Sequence, residues 1–413
     1  MIAPIAALAL IPVMTAVGAA VDYSRANNVR SKLQSALDAG LLAGARANAS
    51  NWNQIAIDNF EANFKATIAG GLNVTKSFVQ ETGQLYQGKA SASVPTAFLG
   101  LIQVPRLNIA VAATATASEP DNSCILTLDK GQPLSHVSLS LNGAPIVNLS
   151  GCSIRSNTSI DCNGHDGSVT KAISAGSSSG CGSPKPGSMT VPDIYAQLAT
   201  HIVPQCGTSR PGATWTAGVL PSGPAIKTVT SGGRTEYHIC GDLTLSGTGL
   251  LNGSTPGSDA LIVIENGSLY IEQDASLTVA RMAIVMTGNN AFSSTVNFPN
   301  GAGKLGSLTL QPPIEAGNPW QGVSLYLDPK LTKDVNNKWG PGASFSADGL
   351  VYLGNSNVVT DGNTSSSNAK CSKFVMNQFT TNGRVNLDFN QTVASCAAIG
   401  LKQWGGIIVH LMK

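Results

Sequence analysis

Twenty consecutive residues near the amino terminus, Ile2 to Val21, carry no charge and read IAPIAALALIPVMTAVGAAV. A helix of that length spans about 30 Å, the thickness of the hydrocarbon core of a bilayer. The run therefore reads as a membrane anchor built from Ile2, Pro4, Leu8, Ile11, Val13, Val17 and Val21. Its prolines are tolerable in a membrane helix when neighbouring groups satisfy the freed carbonyls. Two other readings stay open. A signal peptide cut near Val17-Gly18-Ala19-Ala20 would have a basic stretch before its apolar core, and none precedes this one. A buried core helix would be shorter or amphipathic.

The body has a different chemistry. All eight cysteines, Cys124, Cys152, Cys162, Cys181, Cys206, Cys240, Cys371 and Cys396, lie beyond residue 123 with no zinc-type spacing. An even number without metal spacing points to disulfides in an oxidising compartment. Local pairs, Cys124–Cys152, Cys162–Cys181, Cys206–Cys240 and Cys371–Cys396, are the expected ones, although eight cysteines admit 105 connectivities. Arg25, Arg30 and Lys32 follow the span. By the positive-inside rule they would hold the body in the cytoplasm, against the cysteines. A basic stretch upstream of the given start would reconcile the two. Of the 413 residues only 12% are charged, against about 25% in ordinary soluble proteins, while 42% are hydrophobic. That combination excludes a wholly disordered chain. A net charge of +2 gives no basis for nucleic-acid binding.

Beyond the anchor (residues 1–22), Ala26, Val29, Leu33, Ala36, Leu37, Leu41 and Ala45 form a helical stripe. One rod to about Asn48 would be about 70 Å long. Gly40 and Gly44 on that stripe would either admit a close partner helix or weaken the rod. Trp52, Ala56, Phe60 and Phe64 predict a second amphipathic helix. LNVTKSFVQ, QLYQGKASASVPTAFL and LNIAVAATATA read as strands, so residues 23–120 form a helical rod plus a small α+β module, closed by a linker at Ser118–Ser123. From 121 to 413, short alternating runs are separated by corners such as Asn142-Gly143, Asn252-Gly253, Asn266-Gly267 and Asn382-Gly383. The fold class is mainly β. Alternation at Leu243, Leu245, Leu269 and Ile271 favours a right-handed parallel β-helix-like domain, with a β-sandwich as the alternative. Residues 174–187 read as a surface excursion, 191–203 as a short outer helix and 330–339 as a solvated loop.

Two motifs on the rod carry a resemblance. Asp22, Tyr23 and Arg25 follow the apolar run, and Leu33, Gln34, Ala36, Asp38 and Ala39 follow them. This pattern resembles the TadE/TadG-like amino-terminal segment of Flp (tight adherence) pilus-assembly proteins. CILTLD (124–129), SLSLNGAPIVNLSGCSI (138–154), EYHICGDLTLSG (236–247), WQGVSLYLD (320–328) and KCSKFVMNQFTTNG (370–383) resemble the body of TadG-like members. The resemblance implies a single-pass protein of the bacterial inner membrane with a periplasmic or surface-exposed body. Its partners would be membrane lipid and pilus-assembly proteins. Some TadG-like proteins hold a metal in a von Willebrand A domain through Asp-x-Ser-x-Ser. The corresponding stretch here is Asp129-Lys130-Gly131-Gln132-Pro133, so no metal site is carried over.

Catalytic motifs are absent. The histidines (His136, His165, His201, His238, His410) sit in no HExxH, no GxSxG is present, and Gly301-Ala302-Gly303-Lys304 lacks phosphate-loop spacing. Glu265, Glu272, Asp274 and Asp328, with Arg281 nearby, are the candidate carboxylates for a polysaccharide lyase or hydrolase on a β-helix, with Glu272 and Asp274 sharing strand parity. The expected function is a non-catalytic structural or interaction protein of a Flp/Tad pilus apparatus, without cofactor, whose long polar face would suit protein partners or a glycan surface. The alternatives are a carbohydrate-active enzyme and a secreted adhesin.

Overall fold

The computed structural model describes residues 3–47, 51–65, 72–81, 85–118, 123–163, 171–188, 190–219, 222–251, 259–298, 305–361, 365–401 and 408–412. The corner Asn252-Gly253, the 301–304 turn and most of the 118–123 linker lie outside them. So do the anchor side chains before Val17. The chain divides into two compact units, residues 1–120 with 405–413, and residues 121–404.

The first unit sets one long helix against a four-stranded antiparallel sheet. Helix α1 (Ala3–Ala47) runs unbroken through the charged boundary at Asp22. Its stripe of Leu33, Leu37 and Leu41 is fully buried and packs with Ala56 and Phe60 of α2 (Trp52–Lys65) and with Tyr86 and Ala90 of the sheet. Strands β1 (Val74–Glu81), β2 (Leu85–Pro95) and β3 (Arg106–Ser118) pair in sequence order. The expected strand 84–99 thus stops at Pro95. The final strand, Ile408–Met412, pairs antiparallel with β3 and completes this sheet, although the sequence had assigned everything from 121 to 413 to one domain. Five residues give no local sign that their partner lies about 290 residues earlier.

Gly40 and Gly44 are where α2 crosses α1. A Cβ at Gly40 would lie 2.6 Å from the Ala56 carbonyl oxygen, and one at Gly44 would lie 2.8 Å from both the Ala56 Cβ and the Trp52 carbonyl oxygen. The partner helix that the sequence left open is therefore in the same chain. Gly44→Val should force the helices apart and destabilise the first unit by about 1–3 kcal/mol. Faster limited proteolysis within α2 checks this, and unchanged cleavage would show that the crossing relaxes without cost.

The second unit is built mostly from parallel ladders in three sheets. Ile262 faces Ile284 and Leu277 faces Leu308, steps of 22 and 31 residues from one strand to its neighbour. In-register stacking lines up one apolar row, Ile262, Ile284, Leu325, Val351, Phe374, Ile125, Ile154 and Ala172. All eight are buried. The row crosses from Phe374 to Ile125, so the unit's last long strand, Ser372–Asn382, lies beside its first, Ser123–Thr127. At one end Ile226–Ser231 folds antiparallel onto Arg234–Cys240. At two facing corners Gly143 and Gly383 both have positive φ, and a Cβ on Gly143 would overlap the Gly383 backbone, so only glycine fits.

A strap explains how the chain gets from the first strands of this unit to the far end of the ladder. Residues 190–207 run over the outer face of the largest sheet. Asn157 exchanges two hydrogen bonds with Val191, Tyr352 donates to Asp193 at 2.8 Å, and Tyr326 donates to the Tyr195 carbonyl at 3.0 Å. Gln205 then reaches Glu265. The expected outer helix at 191–203 is a 3-10 turn, Ala196–His201, within this strap. The expected surface excursion at 174–187 is mostly exposed, and it adds two short strands, Ser178–Ser179 and Pro184–Lys185, that extend the ladders. The expected solvated loop at 330–339 is corrected. Leu331, Val335 and Trp339 are buried, and Asn337–Trp339 pairs with Val358–Thr360. The charges there hid an apolar spacing of four residues.

All eight cysteines are paired, as Cys124–Cys152, Cys162–Cys181, Cys206–Cys240 and Cys371–Cys396, with Cα separations of 5.6, 5.2, 5.4 and 5.1 Å.

Candidate functional site

The motif on α1 divides into residues that lock the first unit and residues left at its surface. Asp22 is the first charged residue after the apolar run, and it is buried. One carboxylate oxygen accepts the Ala97 N–H at 2.9 Å; the other accepts those of Phe98 and Leu99, each at 2.8 Å. These donors open the 3-10 turn Leu99–Ile102 in the loop between β2 and β3. The first N–H groups of such a turn have no partner of their own, so a carboxylate reaching over from α1 satisfies three at once. Gly18, one turn earlier, makes room for the Phe98 ring, which a Cβ there would overlap. The loop is thereby clasped to α1 at the end of the uncharged run.

Further along, Leu33 is fully buried, and Gln34 donates to Asp38 at 2.8 Å and to the Ala112 carbonyl of β3 at 3.4 Å. Tyr23 and Arg25 are exposed. Tyr23 and Arg30 line a shallow groove of about 290 Å³ against Leu107 to Ala110 of β3. Val17 and Val21, the two anchor residues with described side chains, are also exposed. Among the described residues no helix is long and apolar enough to cross a membrane. The side chains of Ile2, Pro4, Leu8, Ile11 and Val13 lie outside that description. Nothing in the residue pattern signals the clasp, because Thr96 to Leu99 read as the continuation of a strand.

In the second unit the carboxylates proposed for catalysis do not converge. Glu272 and Asp274 lie in the turn after Leu269–Ile271, with Asp274 in the left-handed region at φ 59°, so strand parity does not apply to them. Arg281 pairs with Asp259, whose other oxygen accepts the Ile314 and Glu315 N–H groups. Asp328 accepts the Thr287 hydroxyl at 2.6 Å and pairs with Lys330 at 3.0 Å. Glu265 is buried. One of its oxygens accepts the Gln205 N–H at 2.7 Å and lies 2.8 Å from His238 Nδ1, and the other accepts the Cys206 N–H at 2.9 Å. His238 is buried too, its Nε2 3.4 Å from Glu236, which pairs with Arg234 at 2.7 Å.

Burial pushes His238 down, but the carboxylates of Glu236 and Glu265 outweigh it and raise its pKa. Burial pushes Glu265 up, and the imidazole together with the Gln205 and Cys206 N–H groups more than reverses that, lowering it. Glu236 is lowered likewise by His238 and Arg234 against burial. The group ties the strap to the ladder beside the Cys206–Cys240 bond.

Asp129, His136 and Thr158 also meet. The His136 Nδ1 and the Thr158 hydroxyl both lie against the same Asp129 oxygen, at 2.6 and 2.8 Å. A nucleophile would need the imidazole's other nitrogen. Here the hydroxyl donates to the acid instead, which holds the carboxylate in place rather than activating the hydroxyl. Among the described residues no three His, Cys, Asp or Glu side chains are grouped to hold a metal ion.

Residues 1–47 match the Tad family model, described as "Putative Flp pilus-assembly TadE/G-like". The match ends with α1, so it covers the apolar run and the whole Asp22–Asp38 motif. No curated protein and no solved structure matches the chain.

Proposed function

We propose that this chain is a non-catalytic, membrane-anchored component of a Flp/Tad pilus apparatus. The run Ile2–Val21 holds it in the bacterial inner membrane as a single span, and the disulfide-bonded body stands in the periplasm or at the cell surface. The observation that carries the reading is the family match over residues 1–47, which bears on α1 from the apolar run to its buried stripe. The four disulfides support an oxidising compartment for the body. The parallel ladders support a right-handed β-helix-like body over a β-sandwich, whose sheets are antiparallel.

A contact role is supported by the carboxylates of Glu265, Asp328 and Asp259, each engaged by neighbouring side chains or backbone N–H groups. Pilus-assembly proteins are the partners this reading requires. Deleting the gene in its native host should abolish or shorten Flp pili seen by electron microscopy, and the full chain should restore them. Pili of normal number and length in the deletion strain would contradict the proposal.

A further inference from the structure

The loop between β2 and β3, Thr96 to Pro105, reads TAFLGLIQVP and contains no charge. It does not bury its apolar residues. Leu101 is 83% exposed, Ile102 52% and Phe98 45%. Isolated exposed hydrophobics need no explanation, but a contiguous group in one loop does. The Asp22 clasp and the seat of Phe98 at Gly18 fix this group at the end of the apolar run on α1, next to exposed Val17 and Val21.

The loop's backbone is also prepared to leave water. Besides the three N–H groups held by Asp22, that of Thr96 donates to Pro105, Leu101 to Phe98, Gln103 to Gly100 and Val104 to Leu99, at 3.0–3.2 Å. The Thr96 hydroxyl donates to the Val104 carbonyl. Unpaired backbone polar groups are the main cost of placing irregular chain in a bilayer, and here most are paired internally. Exposed Tyr23, Arg25, Arg30 and Arg106 flank the patch. An amphipathic aromatic and cations of this kind suit the headgroup layer.

We propose that this loop seats in the interfacial zone of the phospholipid bilayer beside the span, as a second, non-spanning contact that sets the height and tilt of the first unit. This inference rests on the anchoring reading above, and the occupant is lipid rather than another protein. Asp22 acts as the positioning residue, because it ties the turn to α1 through three N–H groups.

The test uses the full chain in phosphatidylethanolamine–phosphatidylglycerol vesicles. All eight native cysteines are paired, so a cysteine introduced by Leu101→Cys is the one free thiol and can carry an environment-sensitive fluorophore. Non-reducing peptide mapping verifies that the four native pairs persist. Ile11→Cys, labelled in the same way, reports on the span itself. The expected result is blue-shifted emission at 101, quenched severalfold more by lipid with a nitroxide near the headgroup than by lipid with one near the chain end. Position 11 should show the opposite preference, and adding Asp22→Ala should reduce the quenching at 101 while leaving position 11 unchanged. Water-like, unquenched emission at 101 with position 11 quenched would overturn the loop inference and leave the anchor standing. Blue-shifted emission at 101 that no lipid nitroxide quenches would mean that protein covers the loop, and would overturn it as well. No quenching at either position would remove the anchor and this inference together.

Discussion

Reducing the four disulfides should unfold most of the second unit under conditions that leave the oxidised protein native. The bonds close sequence separations of 28, 19, 34 and 25 residues. In the chain-entropy account each such closure is worth about 3 kcal/mol. Together they amount to on the order of 10 kcal/mol, comparable with the whole net stability of a typical domain, about 5–15 kcal/mol. Cys124–Cys152 and Cys162–Cys181 hold the short strands of the first rungs, and Cys206–Cys240 holds the end of the strap. Urea titration of the full chain by tryptophan fluorescence, with and without reductant, measures the effect. The expected outcome is a large drop in midpoint for the transition that reports Trp215, Trp320 and Trp339. An unchanged midpoint would mean that the stacked apolar rows alone sustain this unit.

Glu265→Ala should cost about 3–5 kcal/mol, the loss typical of breaking a buried ion pair from one side. It leaves His238 charged and poorly paired, and strips the acceptor from the Gln205 and Cys206 N–H groups. The cost should depend on pH, with a sign that follows from the shifts. The pKa of His238 is raised on folding, so its contribution is complete below its ordinary value of 6.5 and is lost as pH rises through the raised one. Those of Glu265 and Glu236 are lowered, so their contribution is complete above 4.5 and is lost as pH falls through the lowered values. The difference in urea midpoint between wild type and Glu265→Ala should therefore be greatest between about pH 4.5 and 6.5 and shrink on either side. A difference that is flat with pH would show that the group acts by packing alone.

What could be read from the sequence was what repeats locally. The stripe from Ala26 to Ala45 and the aromatics of α2 follow a helical period, and each became a buried helix face. The two-residue alternation of β2 and β3 survived as a half-buried sheet. What could not be read depends on partners far apart in sequence. Ser372–Asn382 lying beside Ser123–Thr127, and Ile408–Met412 crossing to the first unit, leave no trace in short windows.

The charges at 330–339 suggested solvent because Lys330, Lys333, Asp334 and Lys338 outnumber the apolar residues, yet Leu331, Val335 and Trp339 face inward. The motif residues Asp22, Leu33, Gln34 and Asp38 were visible from the family resemblance. What Asp22 holds was not, because the turn it caps follows Pro95 without any break in apolar character. Glu265 was visible as a carboxylate on a strand, but His238 meets it from the neighbouring strand and its two N–H partners arrive on a strap more than fifty residues upstream.

The central claim is that the leading helix tethers this chain to the inner membrane while the body works outside the cytosol. An alkaline phosphatase fused after Lys413, assayed in intact cells and followed by carbonate extraction of the membrane fraction, tests it most directly. The account predicts high phosphatase activity, all of it in the carbonate-resistant pellet, and loss of that activity when residues 1–21 are deleted. An inactive fusion, or full activity in the soluble fraction with residues 1–21 still present, would contradict it.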